Sequence, residues 1–70
     1  MTYPELWHRL VPVYEEREAK AIARLVYEVR YGLTLSDLLL GRDAEAPADE
    51  LERIAARLER HEPVQDVLGQ

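Results

Sequence analysis

Residues 15–31 read EEREAKAIARLVYEVRY, and Gly32 follows them. Ala19, Ile22, Ala23, Val26 and Val29 recur at steps of three and four, so on a helix of 3.6 residues per turn they form one stripe. Neither Gly nor Pro interrupts the 17 residues. Glu15, Glu16 and Glu18 fall in the first turns, where unpaired amides favour negative charge. Gly32 can take the left-handed conformation that ends a helix. A lone helix with an apolar stripe is not stable in water, so the segments on either side have to cover it.

Upstream, Pro4 suits the first position of a helix, with Thr2 as its cap. Tyr3, Leu6, Leu10, Val13 and Tyr14 share a face, and Trp7 lies on its flank as a staple. Pro12 ends or kinks this helix, which puts a tight joint before Glu15. Downstream, Gly32 and Gly41 bracket LTLSDLLLG. Thr34 or Ser36 caps a short helix there, and Leu33, Leu35, Leu38, Leu39 and Leu40 are expected to form a plug in the core. Residues 42–46 are a polar connection. Pro47 starts a further helix at its first position, with Leu51, Ile54, Ala55 and Leu58 as the stripe and Asp49–Arg53 as an i,i+4 ion pair. It runs to about His61, and Pro63 then opens one more turn through Val64, Val67 and Leu68. The fold class is therefore all-α: a small bundle of four helices plus a short C-terminal helical turn. The expected core is Leu6, Leu10, Ile22, Ala23, Val26, Val29, Leu38, Leu51, Ile54, Ala55 and Leu58.

Seventy residues make one domain, and no cysteine is present to staple it. The longest apolar run is Leu38–Leu40, far short of the roughly 20 residues that span a bilayer. No signal peptide is visible at Met1, so a soluble cytoplasmic protein is expected. The net charge is −5. Residues 1–42 balance at six acids and six bases, whereas residues 43–62 carry seven acids against three arginines. A nucleic-acid binder would present a net basic face, so the charge argues against that class.

Few residues offer chemistry. Glu5 and His8 form a single E-x-x-H, where a di-iron bundle needs two such pairs and two more carboxylates. Ser36 is the only serine and stands where a helix cap is wanted. His61 reads as a cation at a helix end. The three glycines are too scattered to cradle a phosphate. Adjacent acids such as Glu15–Glu16 point about 100° apart on a helix and do not converge. No catalytic, cofactor-binding or metal residue is assigned.

The polar side of the long helix carries Arg17, Lys20, Arg24, Tyr27 and Tyr31 at steps of three and four. This reads as a basic strip ending in two aromatics, suited to an acidic protein surface or to nucleic-acid phosphate. The plainer alternative is a solvated face with Arg24–Glu28 as a local ion pair and the two tyrosines half packed under neighbouring loops.

The last helix and its tail, ARLERHEPVQDVLGQ, resemble the end of the N-terminal domain in the HemK/PrmC family, the peptide chain release factor glutamine methyltransferases. There a helix carrying an arginine runs into Glu-Pro, an apolar residue, Gln or Ala, Tyr, two apolar or small residues and Gly. Here these are Arg57, Glu62, Pro63, Val64, Gln65, Asp66, Val67, Leu68 and Gly69. The upstream order, a striped helix, Gly32 and a Leu-rich segment with Ser36-Asp37, is similar too. One departure is Asp66, which stands where the family has tyrosine. A carboxylate fills an apolar slot only when paired or protonated.

The resemblance implies a recognition role in an enzyme that uses S-adenosylmethionine to methylate the glutamine of the release factor's Gly-Gly-Gln motif. Residues 1–68 would be the helical substrate-recognition domain. Residues 69–70 would start the linker to a Rossmann-like catalytic domain, whose cofactor loop and Asn-Pro-Pro-Tyr motif do not occur in this chain. The expected partners are the release factor and that catalytic domain, and the domain is expected to be a monomer. Two further readings stay open. One is a free-standing helical adaptor or homodimer that uses apolar surface of the first helix and the leucine segment. The other is a small nucleic-acid binder.

Overall fold

The computed structural model describes residues 1–69. It holds five helices and a 3-10 turn: α1 (Tyr3–Leu10), α2 (Glu16–Tyr31), α3 (Leu35–Leu39), the turn Arg42–Glu45, α4 (Ala48–Glu59) and α5 (Val64–Leu68). α1 packs along α2 and touches α4, while α5 wedges against both α2 and α4. This is the bundle of four helices and a short C-terminal turn that the periodicity predicts. None of the helices among the described residues is long and apolar enough to cross a membrane.

Local chemistry sets the helix ends. Thr2 caps α1 through its side chain, and Glu5 reaches back to the Thr2 amide at 2.8 Å, which satisfies two orphan donors at once. Tyr3 is thus the first helical residue and Pro4 the second. Pro47 is the cap of α4 rather than its first residue. Thr34, not Ser36, caps α3 and forms a reciprocal pair with Asp37. α4 stops at Glu59, two residues earlier than expected, because His61 takes the left-handed conformation at φ 63°. The His61 amide then donates to the Leu58 carbonyl and the Glu62 amide to Arg57, closing the last turn. His61 is therefore the closing residue of α4, and its ring lies 4.7 Å from that of Tyr14.

The stripes of α1, α2 and α4 meet in one core. Leu6, Leu10, Ala23, Val26, Leu51, Ala55 and Leu58 are fully enclosed, with Ile22, Ile54 and Leu38 nearly so. Val29 departs from expectation: it is half-buried and packs on the core's edge. Tyr14, Ala19, Tyr27, Ala46, Val67 and Leu68 complete the interior.

Two expectations fail here for physical reasons. The leucine segment is no plug. Only Leu38 is buried and Leu33 half-buried, because a five-residue helix lying on the surface turns one side inward. The connection at residues 42–46 is not merely polar. Asp43 is buried, and its Oδ2 accepts the Tyr3 amide at 2.6 Å. The carboxylate thus sits at the amide end of α1, where the helix dipole favours it. This ties the start of the chain to the turn before α4. Asp43→Ala leaves that amide without its partner, and should lower stability by about 1–3 kcal/mol in a urea titration.

Candidate protein interface on the second and third helices

Away from the core, Ala21, Arg24, Leu25 and Glu28 of α2 face Leu33 and Leu35 across a shallow groove of about 320 Å³. Leu35 is 46% exposed, and Leu39, one turn further along α3, is 79% exposed. Leu40, which caps that helix, is 74% exposed. Side chains at i and i+4 lie on one helix face, so Leu35 carries the apolar surface from the groove out to Leu39. Each leucine left in water forgoes about 1.5–3 kcal/mol of burial. Clustered apolar exposure with a polar rim marks interaction sites on small soluble proteins.

The rim is charged. Arg17 and Arg24 are exposed and make no ion pair among the described residues. The expected Arg24–Glu28 pair does not form. Arg42 is held by Asp37 at 3.0 Å, and Asp37 in turn keeps a lowered pKa because it accepts hydrogen bonds from Thr34.

The basic strip expected on α2 is broken up. Lys20 lies 4.0 Å from Glu16 and stands over the Trp7 ring at 4.6 Å, which turns it toward α1. Tyr27 is fully buried and its hydroxyl donates to the Met1 carbonyl at 2.9 Å. Burial, with Asp43 nearby, pushes its pKa up. Tyr31 is half-buried, donates to Glu50 at 2.7 Å, and is pushed up to about 12, chiefly by burial. Three residues along a helix are 60° short of a full turn. Tyr27 therefore lies nearer the core than Arg24, and the N-terminal residues cover it. Of the five positions, Arg17 and Arg24 face solvent, and Arg24 lines the groove beside the leucines. Leu25, Leu35, Leu39 and Leu40 belong to this surface, though the sequence placed three of them inside; the apolar run outlasting its helix was the one available signal.

The tail motif forms one structural unit. Arg57 Nε donates to Glu62 at 2.8 Å, and Arg60 Nη2 meets the other Glu62 oxygen at 2.8 Å. Pro63 caps α5, Val67 and Leu68 are buried, and Gly69 closes the helix at φ 74°. Gln65 and Asp66 are exposed, so Asp66 meets no apolar slot within residues 1–69. Gln70, the second residue of the expected linker, lies outside the described residues. Glu5 and His8 serve α1 itself: Glu5 in the cap and His8 Nδ1 against the Pro4 carbonyl at 2.6 Å.

Hydrogen bonds from Tyr31 and Arg30 hold the Glu50 carboxyl below its ordinary value of 4.5, and bonds from Arg57 and Arg60 do the same for Glu62. A carboxylate that binds protons more weakly when folded contributes stability above that ordinary value and loses it as pH falls below. The melting temperature should therefore drop on acidification from about pH 4.5 downward. The double variant Glu50→Gln, Glu62→Gln should show a shallower drop, read by thermal scans across that range.

No family model, no curated protein and no solved structure matches this chain.

Proposed function

We propose that this chain is the substrate-recognition domain of a protein-glutamine methyltransferase, and that it holds a peptide chain release factor on the α2–α3 face. The observation that carries a recognition role is the run of exposed leucines, Leu35, Leu39 and Leu40, beside Arg24, which makes no ion pair among the described residues. The tail ERHEPVQDVLG, with its resemblance to the release factor methyltransferases, supports the identity of the partner. Arg57 pairs with Glu62 just before α5, Pro63 and Gly69 set the two ends of α5, and α5 packs against α2 and α4. That is a reason for those residue types to recur in such a tail.

In this reading residues 1–69 recognise the substrate, and methyl transfer belongs to the separate catalytic domain that the resemblance implies. No step of the transfer is assigned to these residues. Their part is to bind the protein substrate and hold its Gly-Gly-Gln loop near a separate catalytic domain.

The same leucines favour one second reading, a homodimer joined through α3. Sedimentation velocity separates the two. The recognition reading expects the chain alone to sediment as a monomer, and to move with a release factor when the two are mixed. Self-association at micromolar concentration, with no co-sedimentation, would replace it by the dimer.

A further inference from the structure

The α2–α3 groove has two charged lining residues, Arg24 and Glu28, and its other four are apolar. Both are exposed, and neither makes an ion pair among the described residues. They stand four residues apart on α2, a rise of about 6 Å. Leu25 lies between them in the chain and is 38% exposed. A base followed by an acid one turn later is its own complement when the direction is reversed. With a second α2 laid antiparallel about a twofold axis level with residue 26, each Arg24 stands level with the other copy's Glu28. The two Leu25 side chains are then offset by only about 3 Å along the helices. A parallel arrangement puts like charges level at both positions and is repelled. A twofold contact makes each pair twice.

We infer that the α2–α3 face pairs weakly with a second copy of this chain, antiparallel along α2, and that this pairing and release factor binding exclude each other. The exclusion rests on the recognition reading; the pairing does not. Two terms keep it weak. Exposed ion pairs contribute little, and two copies of net charge −5 repel at long range. Salt near the physiological level screens that repulsion beyond about 8 Å and leaves the close pairs. The chain is therefore monomeric at micromolar concentration and pairs with a Kd on the order of 0.5 mM. The pair shields Leu25 and borders the exposed leucines of α3, so a partner that needs this face has to displace the second copy.

The test is sedimentation equilibrium of the chain from about 10 μM to about 1 mM in about 0.15 M salt. Arg24→Glu turns both reciprocal pairs into repulsions and should weaken association about tenfold, and Glu28→Arg should do the same. An equimolar mixture of these two single variants meets opposite charges at both pairs, and should associate about as tightly as the parent. Both positions are exposed, so the melting temperatures should hold. Saturating release factor should leave complexes with one copy of the chain. A chain that stays monomeric at the highest concentration overturns the inference, and release factor binding in that case leaves the recognition reading standing. Association that survives both single variants, or that their mixture fails to restore, overturns it as well. A complex of release factor with the intact pair overturns the exclusion. Pairing as described with no release factor bound removes the recognition reading and keeps the pair.

Discussion

Tyr27→Ala should leave the chain largely unfolded at room temperature. Tyr27 is the largest of the fully buried side chains, and its ring lies edge-on to Tyr3 at 6.5 Å between centroids. Truncating a buried aromatic to Ala costs about 3–5 kcal/mol. A chain of this length holds roughly 3–10 kcal/mol in all, so the loss is comparable to the whole. Tyr27→Phe isolates the hydroxyl: it removes the hydrogen bond to the Met1 carbonyl and should cost only about 1 kcal/mol. Chemical denaturation of both variants reads this directly. A tyrosine on an exposed strip would lose under about 0.5 kcal/mol in either case, so a small effect of Tyr27→Ala would contradict the packing of α1 over α2.

The reverse pattern is expected of Leu39→Glu with Leu40→Glu. Both side chains are more than two-thirds exposed, so stability should stay within about 0.5 kcal/mol of the parent. Partner binding should fall steeply. Each leucine buried at an interface is worth about 1.5–3 kcal/mol, and two lost together raise Kd by about a hundredfold or more. The charge change adds to this if the partner places acids opposite Arg24. Calorimetric titration with a release factor reads the affinity, and circular dichroism confirms that the fold is kept. Loss of binding without loss of fold is the signature of a contact surface. Tyr27→Ala gives loss of both.

The fold was legible where a pattern repeats. α2 and α4 each carry a stripe over three turns or more, and the core residues it names are buried with the single exception of Val29, at the edge. The leucine segment misled because composition says how apolar a stretch is, not how many of its positions a short helix turns inward. Asp43 was unreadable for another reason. Its partner is the Tyr3 amide, 40 positions away, and no local spacing encodes such a pairing. The candidate site was half legible. Arg17 and Arg24 follow from the polar face of α2, whereas Tyr27 was placed among them because its cover, Met1 and Tyr3, lies a full helix away in sequence. The leucines that flank Arg24 were assigned to the wrong side of the molecule's surface, and only the position of α3 reveals them as its neighbours.

The most direct measurement is a nuclear magnetic resonance titration of the isotope-labelled chain with an unlabelled release factor carrying its Gly-Gly-Gln motif. The expected result is a contiguous set of shifted signals at Arg24, Leu25, Leu35, Leu39 and Leu40, absent in the Leu39→Glu, Leu40→Glu variant. Unchanged spectra at saturating release factor would contradict the recognition role, and shifts confined to another face would contradict its placement on α2 and α3.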